Sequence, residues 1–206
     1  MRTRIKICGI TRVEDGLAAA QAGADAIGLV FATKSPRFVS IPQARSIVAA
    51  LPPYVTVVGL FVDAPADRIR DTLNEVRIDL LQFHGSEEPD GCGNFHRPYV
   101  KAIAMREGID LVAEATRYAD AAGLLLDAYV DGEAGGTGQV FDWARIPRNL
   151  SRPIIVAGGL TPQNVTDVVR QVRPYAVDVS TGVEISKGIK EGAKIRSFIE
   201  AVHKAE

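Results

Sequence analysis

The chain has 206 residues, with 24 Lys and Arg against 25 Asp and Glu. A chain of this length buries one substantial core, so residues 1–206 are predicted to form a single domain. Because the charges balance, no broad electrostatic field attracts nucleic acid or an anionic membrane, and we expect neither as a partner. The longest apolar runs, such as residues 26–32, are far shorter than the roughly 20 residues that span a bilayer.

The N-terminal residues and the cysteines indicate the cellular compartment. The chain begins directly with an apolar alternation and lacks the long apolar stretch of a signal peptide. Its two cysteines are Cys8 and Cys92, and no clustered Cys or His spacing suggests zinc. We therefore expect a cytoplasmic protein without a structural metal.

Eight short aliphatic or β-branched runs predict eight strands. They cover residues 4–8, 24–31, 55–62, 80–83, 100–104, 123–127, 154–157 and 176–179. Apolar residues at three-to-four spacing predict helices at residues 13–22, 42–51, 66–76, 109–118, 162–172 and 191–203. Proline and glycine interrupt the pattern after the fourth and sixth strands, where helices are poorly supported.

Strands that alternate with helices pair in parallel through helical crossovers. Eight such units predict an α/β fold, a single eight-stranded parallel β/α (TIM) barrel. An open doubly wound sheet is the structural alternative. In a barrel, the working groups are expected at the carboxyl ends of the strands and in the loops that follow them.

Two glycine-bearing loops follow the last two predicted strands. Glycine lets the backbone approach an anion, and the seventh and eighth loops are the usual phosphate site of phosphate-binding barrels. Pro162 predicts a helix start that directs further amide groups at this site. Either loop alone is typical of an ordinary tight turn, but the pair favours phosphate binding. The candidate residues are Gly158, Gly159, Asp178, Ser180, Thr181 and Gly182.

A thiol and a carboxyl group end two of the predicted strands. Cys8 ends the first strand and shares a face with Lys6, whose charge is expected to favour the thiolate. A packed, unreactive cysteine is the alternative. Asp127 ends the sixth strand, where apolar walls would raise its pKa and suit it to act as an acid, although a helix cap or ion pair is also possible. The two are predicted to face each other across the barrel mouth.

Three further features flank this predicted mouth. Arg37 follows the second strand, and Pro36 stiffens its loop so that Arg37 can bind a carboxylate bidentately. His84 ends the fourth strand, where a structural histidine is as well supported as a ligand contact. The glycine run at residues 135–138, which includes Gly136, predicts a mobile flap, because no nucleotide-loop sequence follows it.

These motifs resemble the phosphoribosylanthranilate isomerase family of tryptophan biosynthesis. Individually several are weak, but their order and spacing are specific. Thr181 stands where that family commonly has a second Ser, and Phe83 where it commonly has Leu. The motifs lie at residues 6–11, 35–37, 58–62, 82–85, 125–127, 135–138, 141–143, 157–160, 164–165 and 178–184.

The resemblance implies an Amadori rearrangement that needs neither cofactor nor metal. N-(5-phosphoribosyl)anthranilate would become 1-(2-carboxyphenylamino)-1-deoxyribulose 5-phosphate. Asp127 would protonate the furanose ring oxygen, and Cys8 would then remove the proton from C2. Arg37 would hold the anthranilate carboxylate, and the two glycine loops would hold the phosphate. The role of His84 stays open, and so does the choice between monomer and homodimer.

Two other readings remain possible at this point. A related phosphate-binding barrel, such as indole-glycerol-phosphate synthase or a pentose-phosphate epimerase, would need a Lys and Glu pair or His and Asp metal ligands at its strand ends. A sugar-phosphate sensor on the same fold would bind ligand without turnover, since a fold alone does not establish activity. The presence of both a base and an acid argues against the sensor.

Overall fold

A computed structural model describes residues 2–128 and 140–206 and contains the predicted closed barrel. Each strand pairs in parallel with its neighbours in chain order, and β1 pairs with β8 to close the sheet. An open doubly wound sheet is therefore excluded. The strands are β1 Arg4–Cys8, β2 Ala26–Val30, β3 Thr56–Phe61, β4 Leu80–Phe83, β5 Tyr99–Ala104, β6 Gly123–Asp127, β7 Ile154–Val156 and β8 Ala176–Val179.

Seven α-helices lie in the described ranges, and some of them show clear capping chemistry at one end. Gly23 ends α1 with a φ of 99°, a left-handed conformation that suits glycine. Ser40 and Gln43 form a capping box at the start of α2, with Pro42 in its first turn. The helices are α1 Val13–Ala22, α2 Ile41–Ala50, α3 Ala66–Glu75, α4 Pro89–Cys92, α5 Leu111–Arg117, α6 Val165–Val172 and α7 Gly192–His203.

After the fourth and sixth strands, where the sequence offers little support for helices, the described ranges contain only short helical segments. After β4 the chain forms only the single turn of α4, and residues 140–153 contain a 3-10 helix at Trp143–Arg145. Near the short α4, Lys101 on β5 has a side chain only 3% exposed. Its Nζ donates to the Gly85 carbonyl at 2.6 Å and to Glu87 at 3.0 Å. This buried pair ties the loop after β4 to the outside of the barrel.

The predicted helix start at Pro162 is wrong, because α6 begins three residues later at Val165. The Asn164 side chain accepts a hydrogen bond from the Thr161 amide at 2.8 Å and donates to the Gly159 carbonyl at 2.9 Å. Asn164 thereby holds residues 161–164 in a turn. The sequence analysis also missed a small antiparallel hairpin after β8, formed by β9 Glu184–Ser186 and β10 Ile189–Lys190.

The core is divided by the strands themselves, since alternate side chains point into the barrel and out to the helices. Inside, Lys6, Gln82 and Leu125 are among the residues that line a cavity of about 190 Å³. Outside, residues such as Ile7 and Ile27 are fully buried in the main hydrophobic cluster. In the described ranges, no helix combines the length and the apolar character that crossing a membrane requires.

Ile27→Ala tests this layered core. Ile27 is 0% exposed, so truncation removes packed methyl groups and leaves a cavity; we expect a loss of about 2–5 kcal/mol in the free energy of unfolding. Ile185→Ala is the matched control, because Ile185 is 68% exposed and its loss should change stability by less than about 0.5 kcal/mol. Urea denaturation measures both, and equal losses would contradict the assignment of Ile27 to the core.

Candidate active site

The carboxyl ends of the eight strands surround one mouth, and three predicted site residues end strands there or follow one directly. Cys8 ends β1, Asp127 ends β6, and His84 follows β4. Each lies two positions beyond an inward residue that lines the barrel cavity, so each points inward as well. Cys8 is 6% exposed and Asp127 is 8% exposed. The structure therefore brings thiol, imidazole and carboxyl groups to the same end of the barrel.

The wall around Cys8 is tight and largely apolar. Its Cα partner on β2 is Gly28, and a methyl group on Gly28 would lie 2.7 Å from the Cys8 Sγ. Val30 and Leu60 complete a small buried cluster with Cys8. Glycine at position 28 thus gives the sulfur the space that it occupies.

The electrostatic environment of Cys8 combines burial with three charged neighbours. Burial is the largest effect and raises the pKa of the thiol, Lys6 and Lys190 lower it, and Asp178 raises it. Lys6 favours the thiolate as predicted, but its Nζ lies 2.9 Å from Asp178 Oδ1 and shares its charge with that carboxylate. The net pKa is raised, so the downward shift that base catalysis at neutral pH requires is absent from the resting site.

Asp127 belongs to a hydrogen-bonded chain across β4 and β6. The amide Nε2 of Gln82 lies 3.0 Å from His84 Nδ1, and His84 Nε2 lies 3.1 Å from Asp127 Oδ2. An amide nitrogen is only a donor, so with Gln82 in this orientation the neutral imidazole carries its proton on Nε2 and donates it to Asp127. Gln82, which the sequence analysis gave no role, is 1% exposed and fixes this arrangement.

The two predicted glycine loops lie against each other and against the end of β6. Gly158 and Gly159 have φ values of 76° and 63°, the left-handed region that disfavours other residues. A methyl group on Gly158 would lie 2.4 Å from the Ala128 backbone nitrogen and 2.9 Å from Asp127 Oδ1. A methyl group on Gly182 would lie 2.0 Å from the Leu160 carbonyl. These close approaches explain why glycine occupies these positions.

Arg37 is buried, and its guanidinium is hydrogen-bonded to neighbouring side chains. It is 8% exposed, and its Nε and Nη2 each donate to Glu184 at 2.8 Å. Its Nη2 also donates to Thr181 Oγ1 at 2.9 Å. The bidentate face that was predicted to bind a substrate carboxylate is therefore already paired with Glu184, and that pairing raises the pKa of Arg37.

Glu184 and Lys190 are site residues that the sequence analysis missed. The Lys190 side chain is 0% exposed, and its Nζ donates to Glu184 Oε1 at 2.8 Å. It also donates to the carbonyl and to the Oγ of Ser180, both at 3.2 Å. Burial lowers the pKa of Lys190, while Arg37 and Lys190 lower the pKa of Glu184 despite its burial. Position 184 closes a motif quoted above, but nothing in the sequence pointed to Lys190.

The remaining predicted residues divide into two groups. Asp178 faces the barrel interior beside Lys6, and Ser180 and Thr181 open the loop after β8. Gly136 and the predicted flap at residues 135–138 lie outside the described residues. Among the residues that the structure describes, no group of three or more His, Cys, Asp or Glu side chains is arranged to hold a metal ion.

The raised pKa of Cys8 predicts a distinctive alkylation profile. In the absence of substrate, we expect its reaction with iodoacetamide to rise with pH around a midpoint above that of an unperturbed thiol, about 8.5. Lys6→Met should move that midpoint still higher, because it removes a charge that favours the thiolate. Mass spectrometry of the Cys8 peptide measures the rate and separates it from Cys92, whose pKa burial raises to about 11. A midpoint below that of a free thiol would contradict this description.

Comparison with known proteins places this geometry in one family. The family model described as N-(5'phosphoribosyl)anthranilate (PRA) isomerase matches residues 5–201. A curated N-(5'-phosphoribosyl)anthranilate isomerase from Pseudomonas savastanoi pv. phaseolicola is 60% identical over 200 residues, which cover 97% of each chain.

Solved structures agree with the sequence match. The phosphoribosyl anthranilate isomerase of Thermotoga maritima is 37% identical, with a TM-score of 0.91 over 98% of this chain and 99% of that one. A second isomerase structure, solved with reduced 1-(o-carboxyphenylamino)-1-deoxyribulose 5-phosphate, is 36% identical, with a TM-score of 0.88 over 98% and 99% of the two chains. The chain therefore belongs to the PRA isomerase family.

Proposed function

We propose that Asp127 and Cys8 are the general acid and the general base of the isomerisation that this chain catalyses as a member of its family. The reaction converts N-(5-phosphoribosyl)anthranilate to 1-(2-carboxyphenylamino)-1-deoxyribulose 5-phosphate in tryptophan biosynthesis. One observation supports the assignment most: an inward thiol and an inward carboxyl group end β1 and β6 at the same mouth. The joined seventh and eighth loops lie beside them.

The phosphate of the substrate is proposed to bind the joined loops. Gly158, Gly159 and Gly182 bring backbone close to the site without a side chain, and Ser180 and Thr181 add hydroxyl groups. Gly9, at the end of the first strand, belongs to the same wall, since a methyl group there would lie 3.0 Å from Ser180 Oγ.

The anthranilate carboxylate is proposed to bind the remaining edge of Arg37. Glu184 and Thr181 use Nε and Nη2, and among the described residues Nη1 has no hydrogen-bond partner. Nη1 therefore offers up to two N–H donors to a substrate carboxylate. This refines the clamp predicted from the sequence: the contact is made by one nitrogen of a guanidinium that Glu184 holds in place.

The proposed chemistry begins at the ring oxygen. Asp127 in its protonated form transfers a proton to the furanose oxygen, the ring C–O bond breaks, and the nitrogen lone pair forms a Schiff-base cation at C1. Cys8 as thiolate then removes the proton from C2, and those electrons form the enolamine and neutralise the nitrogen. The enolamine then takes up a proton at C1 and loses the proton of its C2 hydroxyl, which gives the ketone.

The raised pKa of the thiol fits this order of events. A cation at C1 forms next to the carbon that Cys8 deprotonates, and a positive charge within a few ångströms favours the thiolate. The substrate would thus supply the charge that Lys6, paired with Asp178, does not supply fully. After ring opening, the His84 hydrogen bond to Asp127 stabilises the carboxylate that remains.

The cellular compartment and the oligomeric state of the protein remain predictions. We expect the protein in the cytoplasm, without nucleic acid as a partner, as a monomer or a homodimer. Light scattering on the purified chain distinguishes the two assembly states directly.

Cys8→Ala and Asp127→Asn test the acid and base. Each should lower kcat by about a hundredfold or more, because general acid and base groups typically contribute that much. KM should change little, since neither residue belongs to the proposed phosphate or carboxylate contacts. Cys92→Ala is a matched control, because Cys92 is also buried but lies on α4 away from the mouth. Near-normal turnover in either site variant would remove that residue from the mechanism, and binding without turnover in the unmodified chain would favour a sensor.

Arg37→Lys tests the carboxylate contact while keeping a cation beside Glu184. A lysine lacks the planar guanidinium and its Nη1 donors, so binding of the reduced product analogue should weaken by about tenfold. An analogue without the carboxyl group is the control ligand and should bind both proteins with similar affinity. Isothermal titration measures the four dissociation constants. An equal loss for both ligands would show that Arg37 acts on the whole loop and not on the carboxylate.

A further inference from the structure

Lys190 is a fully buried cation at the proposed phosphate site. Its side chain is 0% exposed, so it cannot touch a phosphate that enters from the mouth. Its three ammonium hydrogens match three acceptors: Glu184 Oε1, the Ser180 carbonyl and Ser180 Oγ. Two of these three contacts are to the residue that opens the predicted phosphate loop. Lys190 therefore supports that loop by hydrogen bonds from its buried side, opposite the mouth.

The direction of the contact with the Ser180 hydroxyl is fixed by chemistry. An ammonium group donates and cannot accept, so Ser180 Oγ must be the acceptor in its contact with Lys190 Nζ. The hydroxyl hydrogen of Ser180 must then point away from Lys190. Ser180 is half-buried and borders the mouth, so this leaves its O–H as a donor toward an anion there.

The charge of Lys190 also strengthens that donor. A hydroxyl that accepts from a cation becomes a better hydrogen-bond donor, because successive hydrogen bonds polarise one another in a buried setting. Glu184 holds Lys190 in place, and its low pKa keeps it a carboxylate. The same Glu184 pairs with Arg37, so one carboxylate holds both buried cations in place.

We propose that Lys190 is a positioning residue for phosphate binding, which acts by fixing the Ser180 hydroxyl as a donor to the substrate phosphate. This inference rests on the phosphate site proposed above and names how that site is organised. It predicts that the effect of Lys190 on phosphate binding passes largely through one hydroxyl group.

Lys190→Met is the informative substitution because it preserves length and packing. It leaves Arg37 and Glu184 as a bidentate ion pair without an unpaired buried charge, so the chain should fold. Circular dichroism and a thermal melt check this. If Lys190→Met does not fold, Lys190→Leu, which likewise lacks a hydrogen-bond donor, replaces it in the same measurements.

A double-mutant cycle with Ser180→Ala tests the proposal, with inorganic phosphate as the probe. Its inhibition constant is measured in the unmodified chain, in Lys190→Met, in Ser180→Ala and in the double variant. Each single variant should raise the inhibition constant of phosphate by about tenfold. In the Ser180→Ala background the further loss from Lys190→Met should fall to about twofold, because the hydroxyl through which it acts is gone.

The outcomes separate the two proposals. If Ser180→Ala leaves the inhibition constant of phosphate unchanged, the phosphate site itself is misassigned. If Ser180→Ala weakens phosphate binding but Lys190→Met does not, the site stands and the positioning role of Lys190 is overturned. The same conclusion follows if the two variants raise the inhibition constant independently, so that their factors multiply in the double variant. A kinetic comparison adds a readout that general destabilisation would not reproduce: KM for the substrate should rise in Lys190→Met while kcat changes less than twofold.

Discussion

The pairing of β1 with β8 closes the barrel, and the ion pair between Lys6 and Asp178 lies on that seam. The two residues are Cα partners in the parallel ladder, and both point inward. A lysine inside a barrel needs a counter-charge, because a single buried ion is costly. Asp178 supplies it, and in doing so it weakens the influence of Lys6 on the thiol two residues further along β1. The closure of the fold and the reactivity of Cys8 are thus linked.

A second buried charge system joins the loops on either side of β1. Arg37 comes from the loop after β2, while Glu184 and Lys190 belong to the hairpin after β8. Their salt bridges join two loops that are adjacent only because the barrel is closed. Together they carry one excess positive charge, which suits a site whose proposed ligand has an anionic group at each end. The cations are held by protein groups before the ligand arrives, so little reorganisation is needed on binding.

The sequence predicted those features that depend on local pattern. Apolar runs identified all eight strands, with ends differing by at most two residues, and the strand-end positions of Cys8 and Asp127 were sufficient to bring them to one mouth. The glycine loops were recognisable because only glycine fits their left-handed or crowded backbone. The helix start predicted at Pro162 was wrong because the Asn164 side chain accepts a hydrogen bond from the Thr161 amide and holds the chain in a turn up to residue 164.

Features that depend on distant pairs were not predictable. Arg37 and Glu184 are 147 residues apart, so nothing in the sequence around Arg37 showed that its guanidinium was already paired. Lys190 lies in a polar stretch that is typical of an exposed loop, and only the tertiary structure buries it. The pKa of Cys8 shows the same limit: Lys6 is visible in sequence, whereas burial and Asp178 are not.

A crystal structure with the reduced product analogue bound is the most direct measurement of the central claim, that one acid and one base act on a sugar held between them. The account predicts the Cys8 sulfur within about 4 Å of C2 and the Asp127 carboxylate within hydrogen-bond reach, about 3 Å, of the oxygen that closed the furanose ring. The phosphate should contact the loop that begins at Ser180. An analogue bound so that neither the thiol nor the carboxyl group reaches those atoms would contradict the account.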